Sequence, residues 1–152
     1  RKLDNVRKLW DAILEIRPVK NVFMDGDINR ESYAVDHFIP RNFVMNDELW
    51  NLMPMDPIQN MKKNKKLPVW ENYFGQFANN QFMMYEMIFE KPELLKLYKQ
   101  CYKDNLHSIW AIQELYRKGN SADEFRNILD KNMNHPVYDS ARRQGYDIWD
   151  VS

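Results

Sequence analysis

The spacing of apolar residues predicts helices at the start of the chain and throughout its second half. Apolar side chains recur every three or four positions over residues 3–16, which indicates a helix with one packing face, against this domain or an upstream one. Pro18 ends this pattern because the residue before a proline is displaced from helical geometry. From about residue 70 the pattern is almost entirely helical, with a Phe-, Met- and Tyr-rich stretch over 74–89 that predicts core, a helix over 92–115, and a capping box at 121–124.

The segment between these helices has a different pattern. Residues 33–39 and 49–53 read as two short strands, each closed by a proline. Asp56 and Pro57 then resemble a helix start, since proline is favoured in the first turn, and the helix is expected over 58–66. We therefore predict a small strand–strand–helix unit embraced by helices from both ends, which is an α+β fold.

Composition narrows the class of protein. The 152 residues are 44% hydrophobic and 14% aromatic, which argues against intrinsic disorder. No apolar run approaches the roughly 18 residues of a membrane span, and we expect no membrane association. The single cysteine, Cys101, excludes an internal disulfide framework and any multi-cysteine zinc site, so a reducing cytoplasmic location is expected.

Net charge is zero, with 22 basic and 22 acidic residues, and this argues against a simple basic nucleic-acid binder. The distribution along the chain is nevertheless polarised. Residues 21–60 carry seven acidic and two basic side chains, whereas residues 61–66 carry four lysines. An acidic stretch therefore adjoins a lysine cluster, so a nucleic-acid partner with few phosphate contacts remains consistent with the charge.

Three polar residues in this region are separated by characteristic intervals. Asn51 follows His37 by fourteen residues, and Asn60 follows Asn51 by nine. Asp36 precedes His37 on the first predicted strand. Adjacent side chains on a strand point to opposite faces unless the strand end distorts. One of the two residues would therefore bind a metal while the other faces a substrate. Asn60, on the helix that folds back on the hairpin, would meet Asp36 and complete an oxygen-rich metal site.

The surrounding sequence resembles the HNH endonucleases of the ββα-metal class. The resemblance spans roughly residues 30–75 and rests on the spacing together with DHFIP at 36–40, NDELWNL at 46–52 and the N-x-x-K-x-x-x-L-P run at 60–68. Similar bacterial proteins have Trp-Ser after the DHFIP proline, where this chain has Arg41-Asn42. Asn at position 60, in place of the final histidine of many relatives, leaves the class unchanged.

The resemblance implies a metal-dependent endonuclease that hydrolyses DNA phosphodiester bonds and leaves 5′-phosphate and 3′-hydroxyl ends. His37 would be the general base that activates water. Asp36 and Asn60 would hold one divalent ion, and this oxygen pair suits Mg²⁺, or alternatively Mn²⁺, rather than zinc. Asn51 would hydrogen-bond loop backbone and so hold His37 in line.

The basic residues near this motif are candidate DNA contacts. Lys63 stands at the family's lysine position, where it would meet phosphate or the surroundings of the helix. Lys62 and Lys66 would contact DNA or form a solvated helix face, and Arg41 is a phosphate contact or a tolerated loop change. The other two histidines, His107 and His135, are predicted to be non-catalytic.

We expect three regions: an N-terminal helix over 1–20, the HNH core over 21–75 and a helical extension over 76–152 that packs on the core. The chain begins at Arg1 rather than at a methionine, which leaves open an upstream domain or partner protein that supplies specificity. A catalytically inactive nucleic-acid-binding or interaction module, and the same chemistry on RNA, remain alternatives. A role in bacterial defence or restriction is expected from the resemblance, but the sequence does not choose among pathways or oligomeric states.

Overall fold

The computed structural model describes residues 3–104 and 108–151, so the interpretation of His107 lies outside the described residues. Within these ranges the chain is mostly helical with two small two-stranded sheets, which confirms the predicted α+β class. The helices are α1 Asp4–Ile16, α2 Arg41–Val44, α3 Pro57–Lys63, α4 Trp70–Glu90, α5 Pro92–Asp104, α6 Ala122–Met133 and α7 Asp139–Arg143; the strands are β1 Ala34–His37, β2 Leu52–Met55, β3 Leu67–Pro68 and β4 Ile148–Trp149. A 3₁₀ turn spans Leu49–Asn51, a π-helical turn spans Ala111–Leu115, and the chain between α6 and α7 is kinked at His135, whose backbone is not helical.

Helix α1 forms where the apolar periodicity places it. Its buried side chains are Val6, Leu9, Trp10, Ile13 and Leu14. Arg17, the residue before Pro18, has an extended backbone at φ −154° and ψ 153°. The helix therefore ends where the proline predicts that it should. The buried face packs against α5 of the same chain.

The hairpin β1–β2 is antiparallel, with Asp36 opposite Met53 and His37 opposite Leu52. The prediction of a second strand over 49–53 closed by Pro54 is wrong in its bounds: residues 49–51 form the 3₁₀ turn, and β2 begins at Leu52. Pro54 lies inside β2, opposite Val35. Proline is tolerated on edge strands, and each strand of a two-stranded hairpin is an edge.

Helix α3 begins as predicted and ends earlier. The carboxylate of Asp56 caps its first turn by accepting a 3.0 Å hydrogen bond from the backbone N–H of Gln59, and Pro57 occupies the first helical position. The helix stops at Lys63 instead of reaching Lys66, because Asn64 takes a left-handed φ of 48°. The chain then turns directly into β3.

Helix α4 is the central element against which the hairpin is fixed. Its Phe-, Met- and Tyr-rich stretch supplies buried core side chains, as the sequence predicts, including Phe74, Phe77 and Met84. Two buried amides on this helix bond to backbone elsewhere in the chain: Gln81 donates to the carbonyl of Leu52 in β2 at 2.8 Å, and Asn80 donates to that of Lys20 at 2.8 Å. The hairpin is thus held to α4 by a hydrogen bond as well as by apolar packing.

Backbone pairing and side-chain hydrogen bonds join the C-terminal part to the core. Strand β4 pairs in parallel with β3, where the Leu67 N–H donates to the Asp147 carbonyl at 2.8 Å. The Glu48 carboxylate, which is buried, accepts hydrogen bonds from the Ser108 N–H at 2.6 Å and the Ser108 hydroxyl at 2.8 Å. Ser108 itself is not helical, so the helix predicted over 92–115 is interrupted there.

None of the helices in the two described ranges combines the length and apolar character that crossing a bilayer requires.

Candidate active site

The end of β1 forms one wall of a small open cavity of about 300 Å³. Asp36 and His37, the last two residues of the strand, line it together with Arg41 at the start of α2 and with Asn64 and Lys65 just after α3. The cavity is therefore built from the strand, the loop that follows it and the helix that packs on it, which are the three parts of the predicted unit.

His37 is buried, with 3% of its surface exposed, and both ring nitrogens face a carboxylate. Nε2 lies 2.7 Å from Oδ1 of Asp47, within hydrogen-bond distance. Nδ1 lies 3.7 Å from Oδ1 of Asp36. Both residues lie within β1, where adjacent side chains are expected on opposite faces, yet the polar ends of the two side chains approach each other to this distance.

Asp36 combines an acidic side chain with an incompletely bonded oxygen. Its Oδ2 is buried and, among the described residues, accepts no hydrogen bond, although the Lys63 Nζ lies 3.6 Å away. Burial alone would raise the pKa of Asp36, but the adjacent His37 imidazole and the Lys63 ammonium outweigh it, so the pKa is lowered. Asp36 is therefore an anionic oxygen donor at neutral pH.

Lys63 is completely buried and serves as a link between α3 and β1. Its Nζ donates a 2.8 Å hydrogen bond to the carbonyl of His37. Burial lowers the pKa of Lys63, and the attraction of the Asp36 carboxylate acts in the opposite direction. The ammonium thus holds the backbone of one candidate catalytic residue while it faces the side chain of another.

Asn51, also completely buried, closes the loop between the strands. Its side-chain amide donates to the carbonyl of Ile39 at 2.8 Å, and its side-chain oxygen accepts from the Ile39 N–H at 2.9 Å. Its backbone carbonyl accepts from the Phe38 N–H at 2.9 Å. The chain leaving His37 is consequently fixed by three hydrogen bonds to one residue.

Asn60 lies on α3, three residues before Lys63, and residues at this spacing share a helix face. Asn60 is half-buried and is not among the residues that line the cavity, so its role as a metal ligand stays a prediction. Throughout residues 3–104 and 108–151, no group of three or more His, Cys, Asp or Glu side chains is arranged to hold a metal. Any ion here would be bound by one carboxylate with amide oxygen and water.

The segment that forms this cavity is similar to a known protein family. Residues 22–69 match the family model described as HNH endonuclease, which covers less than half of the chain. That segment is an HNH endonuclease domain. No curated protein and no solved structure matches the chain. An HNH domain indicates nuclease-type activity, HNH nucleases act on nucleic acid, and they generally use a divalent metal ion.

Four of the side chains predicted from the sequence converge on the end of β1 in the HNH domain, namely Asp36, His37, Asn51 and Lys63. The position of Lys63 does not support its interpretation as a DNA contact, because a fully buried ammonium bonded to a backbone carbonyl does not face solvent. Lys62 is exposed on α3, and Lys66 is half-buried beyond it.

One residue of the HNH domain received no role from the sequence. Asp47, within NDELWNL, is 6% exposed and bonded to His37, and Arg41 Nε lies 3.3 Å from the same carboxylate oxygen. The only feature of the sequence that points to Asp47 is its acidic side chain in the segment between His37 and Asn51. Its contact depends on how that loop folds back over the strand.

Replacing Asn51 by alanine is expected to destabilise the HNH domain by about 2 kcal/mol, because the N–H and carbonyl of Ile39 would lose their partners in a buried position. Urea unfolding at pH 7 measures this loss. Asn79→Ala, at an exposed position of α4, is the matched control and should change stability by less than about 0.5 kcal/mol. Equal stability of the two variants would contradict the bridging role of Asn51.

Proposed function

We propose that this protein is a metal-dependent endonuclease that hydrolyses DNA phosphodiester bonds, with His37 as the general base. One observation carries the proposal: the imidazole of His37 and the carboxylate of Asp36 approach to 3.7 Å at the wall of a single cavity. A proton acceptor and an anionic metal-binding oxygen adjacent to each other are what hydrolysis of a phosphodiester requires.

In the proposed reaction the His37 imidazole takes a proton from a water molecule in the cavity. The resulting hydroxide attacks the phosphorus, the bond from phosphorus to the 3′ oxygen breaks, and that oxygen takes a proton from solvent. The products are a 5′-phosphate and a 3′-hydroxyl. Asn51 and Lys63 contribute by fixing the backbone on both sides of the base, since they bond to Ile39 and to His37 respectively.

The donor set around Asp36 fits a hard divalent ion. Its buried Oδ2 accepts no hydrogen bond within the described chain, and Asn60, one helical turn before Lys63 on α3, would offer an amide oxygen. Mg²⁺ is commonly held by one or two carboxylates and keeps several waters, and Mn²⁺ accepts similar ligands. When bound, such an ion would stabilise the negative charge that develops on the phosphate and on the departing 3′ oxygen.

The surface around the cavity supports a polyanionic substrate. Lys62 and Lys65 are exposed on and after α3, Lys66 is half-buried, and the Arg41 side chain at the cavity is 37% exposed. Contacts from Lys62, Lys66 and Arg41 to phosphate would orient the backbone without reading its sequence. Because such contacts are few, non-specific affinity should be modest and should decrease with salt.

The test is incubation of the protein with supercoiled plasmid and Mg²⁺, beside EDTA and beside the Asp36→Asn variant. We expect nicked or linear DNA only for the wild type with metal, with ends that a DNA ligase rejoins. Cleavage of single-stranded RNA but not of DNA would transfer the chemistry to RNA. Binding without cleavage of either, with Mg²⁺ or Mn²⁺, would overturn the proposal in favour of an inactive nucleic-acid-binding module.

Asn60→Ala is expected to increase the Mg²⁺ concentration for half-maximal cleavage by about tenfold, because one oxygen ligand is replaced by water. A Mg²⁺ titration of the plasmid cleavage rate measures the shift, and the rate at saturating Mg²⁺ should fall less. An unchanged titration midpoint would remove Asn60 from the ligand set while leaving Asp36 in it. Ile58→Ala, two residues away on an exposed part of α3, serves as the control.

A further inference from the structure

We propose that Asp47 is a positioning residue that fixes which nitrogen of His37 acts as the base. The inference rests on the proposed function, in which His37 takes a proton from water. Asp47 Oδ1 lies 2.7 Å from Nε2 of His37, and the exposed fractions of the two residues are 6% and 3%. This contact is therefore screened from solvent on both sides.

The contact determines the tautomer of the ring. A neutral imidazole has one N–H and one lone pair, and an ionised carboxylate is only an acceptor. The hydrogen bond to Asp47 therefore requires the proton of neutral His37 to be on Nε2, which leaves the lone pair on Nδ1. Nδ1 is the atom that lies 3.7 Å from the carboxylate of Asp36. Asp47 thus directs the proton-accepting nitrogen toward the carboxylate of Asp36.

Arg41 faces the carboxylate of Asp47, and the adjacent Glu48 anchors the loop that carries it. The Arg41 Nε lies 3.3 Å from the same Oδ1, so a positive group faces the oxygen that accepts from His37. The next residue, Glu48, is anchored to the C-terminal part of the chain through both of its bonds to Ser108. The loop that carries Asp47 therefore has little freedom to move the carboxylate away from the imidazole.

A purely structural role for Asp47 predicts different results. If Asp47 only stabilised the loop, its removal would lower stability and activity together and would leave the tautomer of His37 as it was. A positioning role predicts that the tautomer changes and that kcat decreases while KM is nearly constant. Glu48 provides the comparison, because it is the adjacent buried carboxylate and has its contacts with Ser108 instead of His37.

The experiment combines ¹⁵N NMR of the imidazoles with cleavage kinetics. The chain has three histidines, so the His37 signals are assigned by their loss in His37→Gln. In the wild type we expect the Nε2–H tautomer. In Asp47→Ala we expect a mixture of both tautomers and a kcat lower by about 10²-fold with KM within about threefold. In Asp47→Asn, whose carbonyl oxygen still accepts a hydrogen bond, the Nε2–H form and part of kcat should return.

Glu48→Gln should leave the His37 signals unchanged, and melting curves verify that each variant is folded. A wild-type His37 in the Nδ1–H form would overturn the proposal even if Asp47→Ala failed to fold. So would an Asp47→Ala variant that retains the Nε2–H form and kcat. Cleavage by a protein with the Nδ1–H form would refute only the role of Asp47. A normal response of the tautomer in a protein that never cleaves would refute the nuclease proposal instead.

Discussion

We expect His37→Ala to lower kcat for Mg²⁺-dependent plasmid cleavage by about 10³-fold, which lies within the range that general bases contribute. The imidazole is the proton acceptor that we propose for the cavity beside Asp36, and alanine leaves no group at that position that can take a proton from water. KM should change little, because the exposed lysines that would contact phosphate remain in place. Single-turnover kinetics at saturating protein measures the chemical step directly.

His135→Ala is the matched control for this measurement. The His135 side chain is 73% exposed and forms an ion pair with Asp139 outside the cavity, so its removal should leave the cleavage rate within a factor of about two. Added imidazole should partly restore the activity of His37→Ala, since the substitution enlarges the neighbouring cavity of about 300 Å³. Equal rates for the wild type and His37→Ala would exclude His37 as the base.

The elements that the sequence predicted well are those decided by local rules. The stripe of α1, the Asp56–Pro57 start of α3 and the capping box of α6, in which Ser121 and Glu124 cap each other, depend on periodicity and on backbone bonds within one turn. The bounds of β2 depend instead on distant contacts. Asn51 is withdrawn from the strand because its side chain bonds to Ile39, twelve residues earlier, and no pattern within 49–53 encodes that partner.

The candidate site divides in the same way. The intervals between His37, Asn51 and Asn60 identify the residues without any knowledge of their contacts. The environment of Lys63 and Asp47 follows from how α3 and the loop fold back on β1. In the sequence Lys63 is one of four similar lysines, and only the structure distinguishes the buried one from its exposed neighbour Lys62. Of the two roles expected for Lys63, its burial favours contact with the surroundings of the helix over contact with phosphate.

Replacing Lys63 by methionine, which has similar length and no charge, should destabilise the protein by about 3 kcal/mol at pH 7. The carbonyl of His37 would lose its donor, and the largely buried Asp36 would lose its nearest positive charge. The decrease in stability is partly offset, because the free-energy cost of burying the ammonium also disappears. That cost is the reason why burial lowers the pKa of Lys63.

Urea unfolding in EDTA, at pH 7 and at pH 3, tests this account, with Lys62→Met on the exposed side of the same helix as control. The folded pKa of Asp36 is below its ordinary value of 3.8, so its stabilising contribution is present above that pH and is lost as pH falls through the folded pKa. In Lys63→Met the pKa of Asp36 should rise, because burial acts without the opposing ammonium. The difference from wild type should therefore narrow toward pH 3, whereas Lys62→Met should match wild type within about 0.5 kcal/mol at both values. A difference that is independent of pH would show that the loss comes from the His37 carbonyl alone and that the ammonium does not support Asp36.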